Sequence, residues 1–131
     1  MSKLQHASSF RDLIVCQKAR KAAQAIFQVS KSFPKEEAYS LTDQLRRSSR
    51  SVRAQIAEAW GKRQYQKHVV SKLTDADAEQ LETQHWIDTA FDCGYLTDEQ
   101  ARALLEPLNE IGRMLHSMIE KADQFCGTLD D

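Results

Sequence analysis

Apolar residues along this chain recur at steps of four and three, the spacing that gathers them on one side of an α-helix. Val15, Ala19, Ala22, Ile26, Val29 and Phe33 form the first series, and Leu13, Cys16, Ala23 and Phe27 widen it enough to touch two neighbours. Ser9 and Asp12 precede it in the capping-box spacing S-x-x-D, and Pro34 ends it, because a proline disfavours helical backbone in the residue before it. Leu41, Leu45, Ser48, Val52, Ile56 and Ala59 form a second series, with Gly61 placed as a C-terminal stop. Val69, Leu73, Ala76, Ile87 and Phe91 mark a third, ending at Gly94. Ala101, Leu104, Leu108, Ile111, Leu115, Met118, Ile119 and Ala122 mark a fourth, opened by a capping box from Thr97 to Gln100 and followed by Gly127.

These series predict helices over about 10–33, 35–60, 66–93 and 98–126. Short connections between long rods require neighbours to run in opposite directions, so the expected fold is all-α, an antiparallel up-down-up-down four-helix bundle in a single domain over residues 1–131. Two features interrupt the pattern. Gln80 and Gln84 fall on or beside the inner line of the third helix, where a buried unpaired amide costs about 1–3 kcal/mol. They call for a partner, Gln55 being the candidate, or for exposure. Pro107 sits inside the fourth helix, where a missing backbone hydrogen bond implies a bend or an outward-facing break.

Composition adds limits. Four glycines and two prolines in 131 residues leave little material for hairpins. The start, MSKLQHASSF, has no apolar core of a leader, and no stretch approaches the roughly 18 apolar residues of a membrane span. Cys16, Cys93 and Cys126 cannot all pair and lack CxxC spacing, which points to reduced thiols and a cytoplasmic location.

Charge changes the picture more. Residues 1–72 carry 15 Lys and Arg against 5 Asp and Glu, whereas residues 73–131 carry 3 against 14. The formal net charge of −1 therefore conceals a basic half and an acidic half. Such a split is discharged within the bundle, between subunits or on a partner of opposite charge.

Catalytic patterns are scarce. Glu82 and His85 have the E-x-x-H spacing of di-iron bundles, but that chemistry needs two such motifs and two further inward carboxylates. A polar bundle or interface role suits His85 better, and no metal or cofactor is expected. None of His6, His68, His85 and His116 has a context that would pair it with a reactive cysteine, and the glycines are scattered singly, without a phosphate loop. The chain reads as a non-enzyme.

The basic stripe holds more promise. Arg46, Arg50 and Arg53 share one side of the second helix, and Arg47, Lys62, Arg63 and Lys67 extend it past Trp60 and Tyr65. Guanidinium groups bind phosphates bidentately, and exposed aromatics stack on unpaired bases. The same residues could instead form a solvated face or pair with the acidic third and fourth helices. A pI near 6.4 argues against promiscuous nucleic-acid binding.

Several strings carry a resemblance. FPKEEAYSLTDQLRR over residues 33–47 is similar to the FPxEExxxLxxQLRRA signature of the four-helix bundle proteins encoded in bacterial 23S rRNA intervening sequences. Ser51-Val52 with Gln55-Ile56-Ala57-Glu58, the run Glu79-Gln80-Leu81-Glu82-Thr83-Gln84, and Gly94-Tyr95-Leu96 resemble further segments of that family, in order, over about residues 10–125. Arg53, Gln55 and Ala59 depart from its usual Pro, Asn and Gly, and loss of the proline should straighten the second helix.

The resemblance implies a cyclic homopentamer and kinship with accessory proteins of diversity-generating retroelements, which bind nucleic acid and a reverse transcriptase. It implies no catalytic activity. A ring is built from two different patches meeting at each contact, so a basic face on one subunit meeting an acidic face on the next would set its register. Two functions are therefore expected to compete: an RNA- or other nucleic-acid-binding oligomer acting through the seven cations above, and a protein-binding scaffold without nucleic acid.

Overall fold

The computed structural model describes residues 7–124 and 126, and among them there is no β-strand. Four helices carry the fold: α1 Ile14–Ser30, α2 Asp43–Gly61, α3 Gln66–Asp92 and α4 Asp98–Glu120. Helix α3, at 27 residues, is about 40 Å long at 1.5 Å per residue. Helix α1 packs on α2 and α4, α2 on α3 and α3 on α4, with the broadest contact between α2 and α3. The all-α four-helix bundle expected from the periodicity is the observed fold. Residues 1–6, Gly127 and the last four residues lie outside the described set, so the expectations placed on His6 and on a stop at Gly127 fall there too.

Each stripe lands inside, with local corrections. Ile26, Leu45, Ile56, Leu73, Ile87, Leu108, Ile111 and Leu115 are fully or almost fully buried. Withdrawing each such side chain from water contributes about 1.5–3 kcal/mol. The third stripe continues from Ile87 to Ala90 and not to Phe91, which is 41% exposed. Its buried positions (Val69, Leu73, Ala76, Gln80, Thr83, Ile87, Ala90) keep the four-three alternation, and the step after Ile87 is a three.

Helix starts differ more than helix cores. The Ser9–Asp12 capping box forms, but it caps a 3-10 turn, Phe10–Asp12, and Leu13 is extended before α1 begins. Helix α1 ends at Ser30; Phe33 reaches the core from the following turn. The segment after Pro34 is a 3-10 turn, Lys35–Glu37, then a π turn, Ala38–Thr42, before α2 proper. Gly61 is the last residue of α2, not a left-handed stop: Lys62 N–H closes the helix on the Glu58 carbonyl at 3.0 Å, and only Gly94 has a positive φ among the described glycines.

Gly94, at φ +81°, ends α3 in a Schellman arrangement, with Tyr95 N–H on the Ala90 carbonyl and Gly94 N–H on that of Phe91. Thr97 and Gln100 form the capping box of α4. Helix α4 then runs through Pro107 without a break, and Pro107, half-buried, lines a notch together with Ala22 and Ala25 of α1.

Candidate nucleic-acid interface

The seven cations of the sequence stripe go to three places. Arg47 turns toward α3, where one guanidinium nitrogen donates to Glu79 at 3.1 Å and the other to Glu82. Glu82 also accepts from the Trp86 indole at 3.0 Å, and this bond, with Arg47, holds its carboxyl below the usual carboxylate range. Arg47 is raised in turn by Glu82 and Glu79. Its guanidinium is thus paired across the α2–α3 contact, while the side chain stays half exposed.

Arg46, Arg50 and Arg53 turn the other way, toward α1. The Phe27 ring lies 4.7 Å from the Arg46 guanidinium and 5.6 Å from that of Arg50, with Lys31 Nζ 4.9 Å away. Arg46 Nε also donates to Ser30 Oγ at 2.8 Å. Arg53 lies 5.7 Å from the Phe10 ring, which Arg11 also covers at 4.4 Å. Each cation over a ring is worth about 0.5–1 kcal/mol at an exposed site. Arg53 Nε is shielded from solvent and has no hydrogen-bond acceptor, a state that costs about 1–3 kcal/mol.

Lys62, Arg63 and Lys67 lie at the α2–α3 junction. Arg63 stacks 4.0 Å from the Trp60 indole and donates to the Trp60 carbonyl at 2.9 Å. Lys62 and Lys67 are exposed, and Tyr65, 61% exposed, contacts the His68 ring at 5.5 Å.

The α1–α2 face is larger than the sequence stripe. Arg20, Ala23, Gln24, Phe27, Arg50 and Arg53 line one notch between the helices, and Arg11, Gln17, Arg20, Lys21 and Gln24 line a second beside it. None of Arg11, Arg20, Lys21, Lys31, Arg46, Arg50 or Arg53 pairs with a carboxylate among the described residues. Arg20, Lys21 and Gln24 were missed by reading one helix at a time. The available signal was that α1 contains three cations and no carboxylate, with Arg20, Gln24 and Phe27 at one-face spacing.

Residues of the signature strings meet one another at two places in the bundle. Tyr95 OH and Ser40 Oγ both donate to Glu37, at 2.9 and 2.6 Å, joining the α1–α2 and α3–α4 connections. Ser40 first and Tyr95 second hold Glu37 below its usual range, and Glu37 pushes the Tyr95 phenol up to about 12. Thr83 Oγ1 lies 2.9 Å from Ser48 Oγ across the α2–α3 contact.

The expected polar layer exists, with different partners. Gln80 is buried and donates to Asp77 at 2.9 Å, while Gln84 donates to Gln80 at 2.7 Å and to Asn109 at 3.1 Å. Gln55 is not the partner; its Oε1 is buried without a donor. The E-x-x-H pair is divided, Glu82 being held by Arg47 and Trp86 while exposed His85 packs edge-on to Trp86.

No described helix is long and apolar enough to cross a membrane. No curated protein matches the chain. A solved structure, of a protein with unknown function from the S23 ribosomal protein family from Bacteroides thetaiotaomicron VPI-5482, is 29% identical. It gives a TM-score of 0.74 and covers 82% of this chain and 96% of its own. The family model of the 23S rRNA-intervening sequence protein matches residues 11–117, from the turn before α1 to the last residues of α4. The bundle, and the signature strings that stitch it together, thus have their counterpart in a defined family: the chain belongs to the 23S rRNA-intervening sequence proteins.

Proposed function

We propose that this protein is a non-enzymatic, ring-forming bundle of the cytoplasm that binds RNA on its α1–α2 face. One observation carries the reading: the guanidinium and ammonium groups of that face have no carboxylate to neutralise them, and α1 supplies none. Uncompensated cations fixed over aromatic rings suit a polyanion, because their positions are set before it arrives. Lys62, Arg63 and Lys67 extend the surface at the helix junction, where Tyr65 offers an exposed ring to an unpaired base.

A second reading is favoured by the opposite side. Asp75, Asp88, Asp92, Glu99, Glu106 and Glu120 are exposed and unpaired among the described residues. In a protein scaffold, the basic face of one copy docks on these carboxylates of the next, in the pentameric ring the family resemblance implies, and no RNA is needed. Anisotropy titrations of structured and single-stranded RNA separate the two. RNA binding predicts salt-sensitive affinity, each phosphate contact on a single strand adding about 0.7 to the log–log salt slope, and loss of binding in Arg46→Glu/Arg50→Glu. Absence of binding by the wild type at low salt leaves the scaffold.

A further inference from the structure

We infer that the notch lined by Arg20, Gln24, Phe27, Arg50 and Arg53 holds a terminal phosphate monoester, the end group of a phosphorylated RNA. The inference rests on the RNA-binding reading and names the chemical group that the face selects.

Charge is the first reason. Three guanidinium groups line one small notch whose other lining residues, Ala23, Gln24 and Phe27, carry no charge. A phosphodiester inside a strand brings one negative charge, whereas a monoester brings about 1.5 to 2 at pH 7 and three acceptor oxygens. Three cations without a counter-charge repel one another, and the dianion relieves more of that repulsion than the monoanion.

Shape is the second reason. The site is a recess between two helices and not a ridge. A mid-strand phosphate is flanked by sugars on both sides, while an end group enters with one side free. Ala23 contributes only a methyl group to the α1 wall of the notch. Hydrogen bonding is the third. Arg53 is partly exposed and lines the notch, and no protein acceptor meets its guanidinium among the described residues, so the terminal nitrogens are left for a phosphate oxygen while Nε stays sealed from solvent. The neighbouring notch shares Arg20 and Gln24 and adds Arg11 and Lys21, which places further cations along α1 for the next phosphates of the strand.

The test compares one RNA sequence in three forms, with a 5′-phosphate, with a 3′-phosphate and with hydroxyls at both ends, by competition anisotropy on the full-length protein. A free nucleoside 5′-monophosphate is titrated in parallel by NMR of the arginine Nε–Hε groups. The phosphorylated form at one end should bind about tenfold more tightly than the hydroxyl form, the worth of one charge-assisted hydrogen bond. That preference should vanish in Arg20→Gln, an exposed position on α1 that leaves the core untouched, and in Arg53→Lys, which keeps the charge but not the fork. The two phosphorylated forms show which end is read, and nucleotide-induced shifts of these arginines would support a free monoester as a ligand too. Equal affinity for all three RNAs, or a preference that survives both substitutions, overturns the inference and leaves RNA binding standing. If no RNA binds at low salt, the RNA reading fails, and the notch is then judged on the nucleotide alone: absence of shifts at its arginines ends this inference as well.

Discussion

Gly112 of α4 lies against the Gln80 side chain of α3, so close that a Cβ built there would sit 2.9 Å from Gln80 Nε2. Glycine in mid-helix costs about 1 kcal/mol relative to alanine, and the buried amide is what the missing methyl makes room for. Gly112→Ala is therefore expected to leave stability nearly unchanged, the propensity gain of about 1 kcal/mol being offset by moving the Gln80 amide end. In a Gln80→Ala background the same change should stabilise by about 1 kcal/mol, and urea unfolding of the four variants reads the difference. The sequence announced Gln80 as an anomaly on an apolar stripe, and its partners Asp77 and Gln84 stand at i−3 and i+4 on the same helix, a spacing at which side chains meet. What could not be read was the far side of the network, Asn109 against Gln84 and His116 against Asp77, which depends on the residues α4 presents across the interface. Phe91 failed for a related reason: both it and Ala90 are apolar, and only the register of the packed stripe chose the smaller one.

At the scale of elements, the tie between the α1–α2 and α3–α4 connections should respond to pH in two windows. Glu37 is held below its usual 4.5, so its contribution is whole above that value and declines as pH falls through the lowered one. Tyr95 is raised from 10.0 to about 12, so its contribution is whole below 10.0 and is lost as pH rises through about 12. Tyr95→Phe should remove the late step from an ultraviolet phenol titration, lower the melting temperature at neutral pH and flatten the melting curve against pH at both ends. An unchanged titration would refute the tie. The helices themselves were legible because repeated apolar spacing averages over many residues. Their starts were not, because a proline, two acidic residues and a π turn trade backbone hydrogen bonds over a handful of positions. Meeting of the FPKEE and GYL strings was equally out of reach, since 58 residues separate Glu37 from Tyr95.

For the whole molecule, the charge split visible in the sequence is only partly discharged inside the bundle. Arg47 with Glu79 and Glu82, and Lys18 with Glu110, cross from the basic half to the acidic half, while the α1–α2 cations and the outer carboxylates of α3 and α4 stay unpaired among the described residues. If opposite faces meet between copies, mass photometry should show the oligomer dissociating as sodium chloride is raised, since exposed charges are screened within about 3 Å at 1 M. An unchanged mass across the series would remove charge from the assembly. Sequence alone could not divide Arg47 from Arg46 and Arg50, because neighbouring positions on a helix point about 100° apart and only the packed neighbours say which side is outside.

That division gives the most direct measurement: RNA affinity of Arg50→Gln and Arg47→Gln, the same chemical change three residues apart. Arg50→Gln should weaken binding severalfold and flatten the salt slope by about 0.7, with stability nearly unchanged. Arg47→Gln should keep RNA affinity and slope while costing about 0.5–1 kcal/mol of stability, modest because the Arg47 side chain is half exposed. Equal loss of RNA affinity in both variants, or loss in Arg47→Gln alone, would contradict a bundle in which Arg47 is held by Glu79 and Glu82 and the α1–α2 face meets the RNA.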